Sequence, residues 1–141
     1  MILKPAFSWP VLVLSLLLPF AAGAQDVSEH DAKQTVLRYL EAQRQGNTHT
    51  MRSFIAGDLL EDKGPLLSNP TYPAYLGKTL ANVEFSVGRT ERLGRDSFLV
   101  RASMTYSLGD TTTKHYVLRK RGGDGTKTSG FLIHEERDPD F

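Results

Sequence analysis

The chain contains no cysteine, which excludes a disulfide framework, a thiolate metal site and a lipid-modified cysteine behind a leader. An excess of one charge is also missing. Lys and Arg number 17 against 16 Asp and Glu, so no net field draws the whole molecule toward nucleic acid or an anionic membrane. Nowhere do the roughly 18 to 20 unbroken apolar residues of a transmembrane helix occur. There is no internal repeat and no low-complexity tract, and 141 residues suit one domain rather than two.

What is present begins with a leader pattern. Lys4 supplies a positive start, Val11 to Leu18 an apolar core, Pro19 a break, and Ala22-Gly23-Ala24 a small-x-small site. These features predict a signal peptide over residues 1–24, cleaved before Gln25, and a single domain over 25–141. The leader carries Lys4 and no acid, so the mature chain is formally neutral. The expected address is a periplasm, with full secretion as the alternative, and no membrane span after cleavage. An exported domain without cross-links has to rely on its own core.

That core is organised around Ser97 to Leu108. Phe98, Val100, Ala102, Met104, Tyr106 and Leu108 alternate with Leu99, Arg101, Ser103, Thr105 and Ser107, which puts one set on a buried face and the mostly polar set in water. Such alternation marks a central strand of an antiparallel sheet. Before it, Val83, Phe85 and Val87 form a strand with Gly88 as a bulge. After it, Gly109-Asp110 turns the chain into a third strand over Thr112 to Arg121, and Gly130 to Glu136 makes a fourth.

The helices come first. Ser28 with Asp31 reads as a capping-box variant opening a helix at Ser28, with Glu29 and Asp31 in its first turn. Ala32, Val36, Tyr39, Leu40 and Gln43 form its apolar-facing stripe, Leu37 widens it, and Gly46 stops it. Asn47 or Thr48 caps a short second helix carrying Met51, Phe54 and Ile55. Pro65, Pro70 and Pro73 restrict the next stretch of chain to a short third helix near Pro73 to Leu76. The expected fold is α+β, with N-terminal helices packed on a curved four-stranded antiparallel sheet.

Three strings carry a family resemblance: Val36-Leu37-Arg38-Tyr39-Leu40 ahead of Gly46-Asn47, Phe54-Ile55-Ala56-Gly57-Asp58, and Gly130-Phe131-Leu132-Ile133. With the element order, they make Ser28 to Glu136 resemble the nuclear transport factor two-like superfamily, whose curved sheet wraps a helix into a cone with a pocket. The resemblance implies a pocket lined by Tyr39, Phe85, Val100, Met104, Tyr106, Tyr116 and Phe131, apolar bodies with a few hydroxyls. It also implies that an exposed sheet can pair with a second copy. Its ketosteroid isomerase-like branch combines a first-helix tyrosine, a carboxylate base and a strand acid. Tyr39 matches the tyrosine and Asp62 lies near the base. Where the strand acid should stand, the chain has Lys114-His115-Tyr116.

Other chemistry is thin. His115 and His134 fall on neighbouring strands without the further ligands a metal needs, so neither a metal nor a cofactor is expected. His134-Glu135-Glu136 lacks the second histidine of a zinc-protease helix. Arg119-Lys120-Arg121, with Lys114 and Lys127, concentrates basic charge around one hairpin, a pattern that protects a sheet edge. Gly122, Gly123 and Gly125 precede a strand, not a helix, and so make a turn rather than a phosphate cradle. The terminal Phe141 resembles the end of an outer-membrane barrel, but four strands cannot close one. The expected function is a non-enzymatic exported module that holds a small apolar ligand or docks a protein partner. An isomerase-like or hydrolase-like enzyme using Tyr39 and Asp62 and a structural, homodimerising domain are the alternatives.

Overall fold

The computed structural model describes residues 21–121 and 130–139. The leader through residue 20, the glycine tip at 122–125, Lys127 and the terminal Phe141 lie outside them. Among the described residues four helices precede four strands: α1 (Ala21–Arg44), α2 (Thr48–Phe54), α3 (Gly57–Leu67), α4 (Tyr72–Leu80), β1 (Glu84–Gly94), β2 (Ser97–Thr105), β3 (Thr111–Lys120) and β4 (Phe131–Arg137). The strands form one antiparallel sheet in the order β1-β2-β3-β4. This is the expected α+β class, and no described helix is long and apolar enough to cross a membrane.

Helix α1 starts earlier than Ser28. Its first turn lies at Ala21 and holds no acid, so Ser28 sits inside the helix and is not a cap, and Glu29 and Asp31 lie beyond the first turn. The cause is local, because Ala21, Ala22 and Ala24 have the highest helix propensity and outweigh the single Gly23 among them. Its inward stripe is as spaced: Ala32, Val36, Tyr39 and Leu40 are buried. The helix ends where Gly46 adopts φ +67°, and Asn47 donates its backbone N–H to the Ala42 carbonyl at 2.9 Å. The Asn47 side chain then caps α2 by accepting from the Thr50 N–H at 3.1 Å. Gly46 also has no room for a side chain, since a Cβ there would stand 2.5 Å from the Pro73 carbonyl oxygen of α4.

Two helices differ from expectation. The segment Gly57–Leu67 is a full helix, α3, although Gly64 and Pro65 fall within it. Pro65 forfeits the i→i−4 bond to the Glu61 carbonyl and crowds it, a cost of about 3 kcal/mol in a helix interior, and burial of Leu59 and Leu67 offsets it. Helix α4 is longer than the expected Pro73 to Leu76. It buries Tyr72, Leu76 and Leu80, with Pro73 in its first turn, where proline is tolerated.

In β2 the alternation is realised: Phe98, Val100, Ala102 and Met104 are buried in the core beneath the helices. It stops sooner than the sequence pattern. The strand ends at Thr105 and Leu108 is 91% exposed, because the hairpin is a three-residue loop rather than a tight Gly109-Asp110 turn. Tyr106 and Asp110 close it through a 2.8 Å backbone bond, with Gly109 at φ +91°.

Both edge strands carry an extra residue. In β1, Val87 pairs with Ala102 and Thr90 with Val100, so Gly88 and Arg89 together oppose Arg101. This is the bulge expected at Gly88, and such insertions bend a strand and increase its twist. In β4, Leu118 pairs with Ile133 and Val117 with Glu135, leaving His134 as the inserted residue. An isolated parallel bridge from Ile55 to Ile133 ties the α2–α3 connection to β4.

Candidate functional site

Strand register assigns each side chain to a face. The inner face, under α1, carries Phe98, Val100, Ala102 and Met104 from β2, with Lys114, Tyr116 and Leu118 opposite them on β3. The insertion at His134 changes the parity of β4. Ile133 points inward, Glu135 pairs with outward Val117, and Glu136 pairs with inward Tyr116. An acid that simple alternation would send outward thus joins the inner face.

Glu136 meets three tyrosines there. Tyr39 from α1 and Tyr116 from β3 are in edge contact, 6.1 Å between ring centroids, and Tyr72 comes from α4. Burial, then the charge of Glu136, pushes the phenols of Tyr39 and Tyr116 well above the usual tyrosine range. Tyr72 moves the same way for the same two reasons, opposed by a hydrogen bond from the Gln43 side chain. The Tyr39 hydroxyl is buried with no hydrogen-bond partner. Lys114 closes the cluster, with its Nζ 3.7 Å from Glu136 and 2.6 Å from Asp138. The bond to Asp138 is the main cause of its raised pKa. Lys114 therefore lies at the opposite end of β3 from Arg119 and Lys120, tied to acids rather than part of a basic hairpin.

A strand acid is thus present, at Glu136 rather than in Lys114-His115-Tyr116. Its salt-bridge partner Lys114 suits an acceptor, whereas an oxyanion hole needs a donor. Asp62 is exposed on α3 and lines a cleft of about 280 Å³ with Asp58, Leu59, Glu135, Glu136 and Arg137. Tyr39 is not on that cleft's wall. The residues expected to line a cone pocket pack on one another: Tyr39, Val100, Met104, Tyr116 and Phe131 are buried in the core cluster, and Phe85 and Tyr106 pack against it.

No family model, curated protein or solved structure matches the chain.

A cavity of about 550 Å³ lies instead on the outer face around the β1 bulge. Arg89, Glu91, Leu99, Arg101 and His115 line it, together with Thr90 and Arg92. Register explains the assembly. Arg101 faces the bulged Arg89 on one side and His115 on the other, and His115 in turn faces Arg137. Four cationic or imidazole side chains thus cross the sheet in one row. The next row is Glu91, Leu99, Val117 and Glu135, and Val117, though outward, is only 3% exposed. The sequence shows Arg101 only as a polar-face residue, because the row exists through pairing across strands. His134, by contrast, lies near Gly57, where burial and the charge of Arg119 lower its pKa. Among the described residues no three His, Asp or Glu side chains gather as a metal site requires.

Proposed function

We propose that the chain is an exported binding module, without catalysis, that works through the outer face of its sheet. The cavity of about 550 Å³ beside the β1 bulge carries this reading, because it has the size of a small-molecule site and combines an apolar floor at Leu99 with convergent polar groups. The interior supports it by contrast. The inner face is filled by side chains, and the Tyr39 hydroxyl and Asp62 do not border a common cleft. Export rests on the leader pattern ending at Ala24, and N-terminal sequencing of the protein from its host should find Gln25 first.

Complementation of a deletion strain tests the module against the enzyme. Arg101→Glu reverses charge at an exposed position and should abolish the phenotype in a protein still folded by circular dichroism. Asp62→Asn should leave the phenotype intact. A general base would instead contribute about 10² to 10⁴ in rate. Loss of phenotype with folded Asp62→Asn would overturn the module reading.

A further inference from the structure

Strand register divides the groove wall between the two faces of the sheet. Thr90 and Arg92 pair with the inward Val100 and Phe98, and the Arg92 guanidinium lies 5.0 Å from the Phe98 ring centroid. Their side chains therefore belong to the inner face. Those that face the groove are Arg89, Glu91, Leu99, Arg101 and His115. Gly88 and Arg89 together oppose Arg101 at the bulge, so two guanidinium groups on adjacent strands meet there, and like charges directly opposite are destabilising. Both arginines are exposed, and among the described residues neither has a carboxylate within salt-bridge distance. Glu91, the one acid facing the groove, does not reach them. Beside the arginines the surface turns apolar, with Leu99 half-buried and its outward neighbour Val117 on β3 buried.

We propose that this groove binds a carboxylate attached to an apolar body, an inference that rests on the outer face being the working surface and names its ligand class. Two guanidinium groups against Glu91 leave one positive charge with His115 counted neutral, and a carboxylate brings one negative charge at neutral pH. Its two oxygens accept from both guanidinium forks at once, which converts the repulsion across the bulge into two charge-assisted pairs. A doubly charged anion would leave one negative charge uncompensated beside Glu91. A neutral ligand would leave the two arginines facing each other. The cavity of about 550 Å³ is of small-molecule size, and Leu99 gives the body of the acid an apolar surface to cover.

The probe is 3-phenylpropionate, with 3-phenylpropanamide as its neutral counterpart, acetate as the acid without a body and phenyl phosphate as the doubly charged anion. Titrated into the isotope-labelled full chain and followed by amide chemical shifts, 3-phenylpropionate should move residues 88–91, 99–101 and 115 saturably. Its binding should weaken as salt rises. The amide should produce no shift at matched concentration, and acetate and phenyl phosphate should each bind several-fold more weakly. Arg89→Gln and Arg101→Gln should each weaken 3-phenylpropionate about tenfold, with the shifts outside the groove unchanged. Glu91→Gln should tighten it several-fold, because the one opposing charge is gone. Arg38→Gln, which removes an exposed positive charge from α1 behind the sheet, should leave the affinity as it was. The proposal fails if 3-phenylpropionate gives no shift, if the amide, acetate or phenyl phosphate binds as well or better, if either groove arginine variant binds like the parent chain, or if Arg38→Gln weakens binding as much as Arg101→Gln. If 3-phenylpropionate fails while Arg101→Glu still abolishes complementation, the ligand class is wrong and the outer face stands as the working surface. If Arg101→Glu complements fully, the functional reading falls and this inference falls with it.

Discussion

Replacing Gly46 with alanine tests how α1 is locked to α4. Two costs arise there. Gly46 adopts φ +67°, a left-handed conformation that costs an L-residue about 1 to 2 kcal/mol. The new Cβ would also stand 2.5 Å from the Pro73 carbonyl oxygen, a backbone atom that moves only if α4 moves, and overpacking of this kind costs about 1 to 3 kcal/mol. Together they predict a loss of about 2 to 5 kcal/mol, a large share of a stability of about 5 to 15. Two controls separate the terms. Gly109 has φ +91° with nothing within 4 Å of a Cβ, so Gly109→Ala should show the conformational cost alone. Gly77 lies in α4 with open space around it and no positive φ, so Gly77→Ala should stabilise by about 0.5 to 1 kcal/mol. Urea unfolding reads all three: at a slope of about 1.5 kcal/mol per molar, a loss of 3 kcal/mol lowers the midpoint by about 2 M. A Gly46→Ala midpoint no lower than that of Gly109→Ala would refute the rigid contact.

Met104→Asp should unfold the domain and Thr105→Asp should not, since an unpaired charge at a buried inner-face position costs several kcal/mol; matching melts would disprove the β2 register. Absorbance titration of the folded protein should show Tyr39, Tyr72 and Tyr116 staying protonated above the usual tyrosine range. Because these three phenols have raised folded pKa values, their contribution to stability is complete below about 10, the unfolded value, and is lost at more alkaline pH. Ionisation of Tyr39, Tyr72 and Tyr116 at the usual tyrosine value in folded protein would contradict the inner-face cluster. The lowered pKa of His134 has the opposite consequence: its contribution is present above the ordinary 6.5 and is lost as pH falls through the lower folded value. His134→Gln should therefore flatten the acid side of the melting-temperature profile, and an unchanged profile would exclude this role.

Local patterns made much of this fold legible. Strict alternation from Phe98 to Met104 located the central strand, and Gly46 with Asn47 located the α1–α2 junction, since each signal acts within a few residues. Alternation misled at Leu108, because hairpin geometry ended the strand before the apolar pattern did. Pro65 concealed α3 because the burial of Leu59 and Leu67 that offsets its cost is a tertiary effect, which local sequence does not mark. The candidate site was the least legible part. Glu136 reaches the tyrosines through an insertion at His134 that no glycine announces, and Arg89, Arg101 and His115 become neighbours only through the register of three strands.

The paired insertions also bear on solubility at high concentration. β4 is covered at its outer side where Ile55 bridges Ile133 and Ala56 donates to the Ile133 carbonyl at 3.0 Å. Among the described residues this leaves β1 as the open edge. That edge is irregular twice, at Gly88-Arg89 and between Arg92 and Gly94, and Glu84, Arg89, Glu91 and Arg92 along it are exposed. A ribbon that grows by adding strands needs a straight, uncharged template. Among the described residues there is none, so crowding should not draw the molecule into fibrils through the β1 edge.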